Sequence, residues 1–229
     1  MWTRLVALFC AGLCFLSHST AIDAQVFLGF EMLALDGAFV QWGGARDDLR
    51  PHVTYAVLDR DQETLHARNC AGMVGVTGLL DASHIAPFGF KAELRAAFDL
   101  WEKAANIEFV ETANATTADI VIGAQAKPEG RAFANVDYKA GDGPVRLIAK
   151  SLICLNPQRT WKIGFDGNLD AYDLRFTLAH EIGHAIGLDH PSPSGQLMSY
   201  RYEEKFRGLQ AGDLQGVAVL YGRRGFWQY

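Results

Sequence analysis

Eleven consecutive residues, His180-Glu181-Ile182-Gly183-His184-Ala185-Ile186-Gly187-Leu188-Asp189-His190, hold most of the reactive chemistry in this chain. Two imidazoles four positions apart fall on one side of a helix and can grip a single metal ion. Gly187 lets the chain turn sharply, so that His190 can return as a third ligand. Zinc prefers such nitrogen donors at roughly 2.0–2.1 Å in tetrahedral geometry, and three of them leave one position for water, the mark of a catalytic site. The metal lowers the pKa of that water and polarises a scissile carbonyl. Glu181 stands beside the ligands and can take the proton of the zinc-bound water and pass it to a leaving amine. Neither a serine nor a cysteine nucleophile is needed, and no G-x-S-x-G elbow occurs. Ordinary core histidines would not reproduce five fixed positions.

The motif needs a helix to hold it. Asp170 or Asp173 can cap its start. Leu174, Leu178, Ile182 and Ala185 share a face, and Ile182 lies roughly opposite His180 at about 100° per residue. The helix can therefore bury its apolar side while aiming the histidines into a cleft. Upstream, residues 91–105 predict an amphipathic helix, with Leu94, Ala97, Phe98, Trp101 and Ala105 at helical spacing. Strand-like runs cover Val53–Leu58, Ile107–Thr112, Asp119–Ala124 and Arg146–Leu155. Residues 59–89 look irregular, broken by Gly72, Gly75, Gly78, Pro87 and Gly89. Residues 130–136 read equally well as an edge strand or a surface loop. A final helix over Ala211–Tyr221 stops at Gly222.

At 229 residues with a 49% apolar fraction the chain suits one domain. A formal net charge of -5 and no long basic run argue against nucleic acid as a partner. Residues 1–24 carry Arg4 before a short apolar stretch, Leu5–Leu16, the pattern of a secretory signal peptide too short for a membrane span. An uncleaved anchor is the alternative. Residues 25–41 form a short N-terminal segment, and 42–229 the catalytic domain. The expected product is a secreted or periplasmic monomer without a stable membrane span. Cys10 and Cys14 would leave with the signal. Cys70 and Cys154 remain, an even count that points to one disulfide, with two separate thiols as the alternative.

The extended motif resembles that of the metzincin metallopeptidases, and its surroundings resemble the matrixin branch. Gln196-Leu197-Met198-Ser199-Tyr200 supplies the methionine turn, with Met198 eight positions after His190. The tail, Asp213–Gly222, is similar to the last matrixin helix. The Trp101 helix, Ile107-Glu108-Phe109 and Ala118–Ile122 fit the same pattern, so the likeness spans roughly residues 40–222. It implies an α+β fold: a twisted mixed β-sheet with long helices and a small irregular C-terminal lobe. It also implies endopeptidase activity on a protein or peptide substrate lying along an edge strand, for which Phe133 and its neighbours are candidates. A hydrophobic pocket beside the zinc would take the side chain after the scissile bond. Met198, Asp213 and Gly187 would be structural.

The chain also departs from the matrixin pattern. Residues 25–41 hold no cysteine of the kind that blocks zinc in a latent matrixin. Loops rich in histidine and aspartate for a second zinc and for calcium are missing, and His52, His66 and His84 are scattered. Asp166, Asn168, Asp170 and Asp173 can ring a Ca2+ ion, although a loop with a helix cap explains them more simply. Gly212 replaces the first of two aspartates that tether the mature N-terminus, whereas Asp213 matches the second. Tyr200 stands two residues after Met198, as in astacin-like and serralysin-like metzincins, where the phenol swings toward the tetrahedral intermediate. The alternative is a tyrosine that packs in the lower lobe. An exported zinc endopeptidase is the reading these residues favour. A zinc amidase or narrowly specific cell-envelope peptidase is the alternative enzyme, and an inactive zinc-stabilised binding module the alternative without activity.

Overall fold

The computed structural model describes residues 29–43, 50–62 and 67–225. The signal-peptide reading over residues 1–24 and His66 lie outside the described residues.

The N-terminal stretch forms β1 (Glu31–Met32), β2 (Ala34–Leu35) and β3 (Ala38–Gln41). The following run holds β4 (His52–Val57), β5 (Met73–Val74), α1 (Thr77–Ala82) and α2 (Pro87–Ala104). Next come β6 (Glu108–Glu111), β7 (Ile120–Gln125), β8 (Ala132–Tyr138) and β9 (Val145–Leu155). The C-terminal third contains β10 (Thr160–Lys162), β11 (Ala171–Asp173), α3 (Leu174–Ala185), β12 (Leu188–Asp189) and α4 (Ala211–Tyr221).

The main sheet runs β2-β3-β9-β7-β4-β6, with β5 on β7 and β8 on β9. Strands β3, β9, β7, β4 and β6 are parallel, whereas β2, β5 and β8 are antiparallel to their neighbours. The result is a twisted mixed sheet in an α+β fold. Alternation along the central strands sends side chains to two faces. Tyr55, Ile120, Ile122, Ile153 and Leu155 join the main core with α2 and α3. Ala56, Val121, Leu152 and Cys154 turn to a smaller cluster on the other face, with Met73 and Cys70. Burial on both faces explains why β7 reads as an unbroken apolar run.

Several elements differ from the expectations above. Helix α2 begins at Pro87, because a proline at the first helical position gives up only an N–H that has no partner there anyway. The irregular stretch contains the short helix α1. Residues 132–138 are a strand, β8, and not a surface loop. The N-terminal strands pair with distant elements: β3 with β9, and β1 with β12 inside the motif. No helix among the described residues is long and apolar enough to cross a membrane.

Helix α3 lies at the centre. Asp173 caps it, with Oδ1 accepting from the Phe176 N–H at 2.8 Å. Arg207 bridges that cap to Glu93 of α2, and Arg175 grips the same Glu93 through two nitrogens. Two buried indoles fix the far side, Trp101 donating to Ala179 O and Trp42 to Ala185 O, both at 2.9 Å.

Candidate active site

Helix α3 presents His180 and His184 one turn apart, and the break after Ala185 brings His190 back to meet them. Gly187 makes that break possible. Its φ is +103°, and a Cβ there would lie 2.2 Å from Val40 O. Its own carbonyl accepts from Leu33 N at 2.8 Å, so the N-terminal strands hold the turn.

The three Nε2 atoms converge: His190 Nε2 lies 3.0 Å from that of His180 and 3.1 Å from that of His184. The opposite ring nitrogens decide the chemistry. His180 Nδ1 lies 2.8 Å from Leu197 O, and His184 Nδ1 lies 2.8 Å from Leu188 O. A carbonyl oxygen only accepts, so both Nδ1 atoms carry the proton and both Nε2 atoms present bare lone pairs. Lone pairs packed this closely repel one another unless they share a cation. Tetrahedral zinc with ordinary nitrogen ligands would set them about 3.3 Å apart, close to what is observed. The donor set therefore fits the metal. Among the described residues these histidines are the one group of three or more metal-ligating side chains brought together. Burial lowers the pKa of all three, with mutual repulsion adding to it at His180 and His184, and this favours the neutral, ligating form.

Glu181 is buried on the same helix and lines the same cleft. Burial pushes its carboxyl up to about 7, against the pull of the Arg131 charge and of the Ala134 backbone N–H. Such a group is suited to exchanging protons near neutrality.

A methionine turn underlies the histidines. Gly183 has no side chain, and Met198 Sδ fills the space, 2.2 Å from where a Cβ would stand. Asp213 pins the turn by accepting from the Leu197, Met198 and Gln210 amides at 2.8, 3.0 and 2.7 Å. Leu197 then offers its carbonyl to His180, so Asp213 orients a candidate ligand through one intervening residue. Gly212, beside it, meets Gly29: a Cβ would lie 1.7 Å from Gly29 O. The N-terminal segment thus seats backbone against backbone where an aspartate side chain has no room.

Tyr200 lines the cleft with its ring centroid 6.2 Å from that of His190, and it is 65% exposed. It does not pack in the lower lobe. The cleft, about 780 Å³, runs along β8 past Glu181 and the histidines. Among the described residues β8 pairs on one side only, with β9, and its residues 130–138 form the cleft wall. The Cys70–Cys154 disulfide ties the loop beneath β8 to β9. Beside it Asn135 Oδ1 accepts from Arg68 N, and Asn69 donates to Ala134 O.

The remaining candidate ligands lie elsewhere. In the calcium set Asp173 serves Phe176, Gly164 and Arg207, while Asn168 Oδ1 accepts from Asp170 N. The Lys162 ammonium occupies the centre of that loop, bound to Asp166, to Asn168 O at 2.7 Å and to Glu204 at 2.6 Å. His52 contacts Glu108, and His84 sits in the turn after α1. Sequence reasoning passed over the Leu188 and Leu197 carbonyls, which have no residue signature, and Arg131, which fell in a segment of undecided structure.

The matrixin family model matches residues 81–222, more than half the chain and including the whole histidine motif. The chain belongs to the matrixin family. Metalloendoproteinase 4-MMP of Arabidopsis thaliana is 31% identical over 152 residues, 61% of this chain and 42% of that protein. Matrix metalloproteinase-19 of Homo sapiens is 31% identical over 154 residues, covering 62% of this chain and 28% of its own. Neutrophil collagenase of Homo sapiens is 30% identical over 142 residues, covering 56% and 28%. This matrixin therefore spans less than half the length of these relatives.

Proposed function

We propose that this matrixin is an exported, zinc-dependent metalloendopeptidase. The observation that carries the proposal is the convergence of three histidine Nε2 atoms beside the buried Glu181, in a cleft walled by an open strand edge. His180, His184 and His190 would hold the metal. Bound zinc would supply Lewis acidity to a substrate carbonyl and to the attacking water. Glu181 accepts that water's proton and delivers it to the leaving amine. Strand β8, with Phe133 and its neighbours, pairs with an extended peptide and fixes the scissile bond over Glu181. Met198 and Asp213 keep the ligands in register from below, and Tyr200 hydrogen-bonds the developing oxyanion. The catalytic unit takes in the strands from residue 31 onward, because β1 and β3 support the ligand turn.

The Cys70–Cys154 bridge favours an oxidising compartment, in keeping with a secreted or periplasmic protein that acts as a monomer. The test is a screen of unfolded protein substrates with the purified protein, before and after chelation. Cleavage that chelator abolishes and zinc restores is expected. Hydrolysis restricted to non-peptide amides, or unaffected by chelation, would overturn the assignment.

A further inference from the structure

We propose that Arg131 makes this a protease selective for substrates with a carboxylate side chain next to the bond that is cut. The inference rests on the proposed peptidase function and adds a substrate class to it. Arg131 immediately precedes β8 and lines the cleft that holds Glu181 and the three histidines. Its guanidinium lies 5.5 Å from the Tyr172 ring centroid and 5.7 Å from that of Tyr202, so two aromatic faces hold it in place. A guanidinium fixed in this way presents a planar fork matched to a carboxylate, with little entropy left to lose.

Among the described residues no side chain takes up that fork. Among the described residues no carboxylate lies within ion-pair distance of Arg131, and its buried Nε has no hydrogen-bond partner. Of the acids that share the cleft, Glu181 feels the Arg131 charge without forming an ion pair with it, and the others are engaged elsewhere. Asp36 accepts from Tyr138, Asp137 from Asn135 and Asp189 from the His190 N–H. A buried donor left unsatisfied is costly, and a cation in a cleft wall with no carboxylate in direct contact is poised to take one. An incoming Asp or Glu side chain supplies that direct contact. The Arg68 backbone borders the same wall, and its side chain adds a second, exposed positive charge there.

The test is a synthetic peptide library cut by the zinc-loaded protein and read by mass spectrometry. Asp or Glu should be enriched at least tenfold at one position flanking the cleaved bond. Arg131→Gln should lower kcat/KM for a Glu peptide by about 10–100-fold, the range of a charge-assisted hydrogen bond. It should change the Gln counterpart by less than about threefold, and Arg131→Lys should restore part of the preference. Equal loss on both peptides, or no acidic enrichment in the wild type, would overturn the proposal. A binding arm separates it from the hydrolytic reading. With the Glu181→Ala protein in calorimetry, the Glu peptide should bind at least tenfold tighter than the Gln peptide, and high salt should weaken the difference. That result without cleavage by the wild type would leave the charge selection standing and remove the peptidase assignment. Equal binding would remove the selection even if Arg131→Gln fails to fold.

Discussion

Replacing Asp213 by alanine should damage metal binding from a distance. Its carboxylate is 1% exposed and accepts three backbone amides, at 2.7, 2.8 and 3.0 Å. Asp213→Ala strands all three in a site closed to water. Each buried orphan costs about 1–3 kcal/mol, and relaxation of neighbours keeps the total to about 3–6 kcal/mol. For a chain of this size that is a fall in Tm of roughly 10–20 °C. The second effect reaches the histidines. Leu197 loses its anchor, and its carbonyl holds His180 Nδ1 at 2.8 Å. Loss of such an outer partner weakens metal binding by about 10–100-fold. Asp213→Asn keeps one acceptor oxygen and should fall between the two. Calorimetry of the apo and zinc-loaded proteins gives the first quantity, and competition with a chromophoric chelator the second. An Asp213→Ala protein with unchanged Tm and with zinc affinity within twofold of wild type would refute the coupling.

Other perturbations address separate links. Tyr200→Phe should lower kcat by up to ~3 kcal/mol of lost oxyanion stabilisation, with KM and zinc content nearly unchanged; an unchanged kcat would leave Tyr200 outside the chemistry. Removing the Cys70–Cys154 bridge, which spans 84 residues, should cost about 4–5 kcal/mol in the chain-entropy model. A denaturant titration of the Cys70→Ala/Cys154→Ala double variant measures it, and two free thiols in the native protein by mass spectrometry would contradict the pairing. Zinc affinity should resist acidification. Three ordinary imidazoles of pKa about 6.5 would lose about 30-fold between pH 7 and pH 6. Here burial lowers all three, so they stay neutral further into acid and the loss should be clearly smaller than that. The measurement belongs in Glu181→Gln, whose side chain does not titrate, and a 30-fold loss would show that the folded site does not protect its ligands.

The parts legible in the sequence were those written as local pattern. The motif helix, its Asp173 cap and the Gly222 stop all follow from spacing and capping, and β7 and β9 from apolar runs. Helix α2 was legible in its amphipathic body but not at its start, because Pro87 serves equally as a breaker and as a first helical residue. Strand β8 was ambiguous for a physical reason. An open edge strand facing a cleft has no strict alternation, since Ala134, Asn135 and Asp137 answer to different neighbours. The pairings of β1 and β3 into the fold were hidden because Leu188–Asp189 and Val145–Leu147 lie more than 100 residues away. For the candidate site, side chains were readable and backbone was not. Nothing in residue identity marks Leu188 and Leu197 as the carbonyls that orient His184 and His180, and the exposure of Tyr200 depends on how the loop after His190 settles.

The central claim is that three histidines hold zinc while Glu181 moves the proton, and one paired measurement tests it most directly. Wild-type and Glu181→Ala proteins are each loaded with zinc, their metal content is determined, and both are given the same peptide. The account predicts one zinc per chain in both and cleavage by the wild type, with hydrolysis by the variant reduced at least 100-fold, the lower end of a lost general base. Wild-type protein that takes up no zinc, or a zinc-loaded Glu181→Ala protein that cleaves at the wild-type rate, would contradict it.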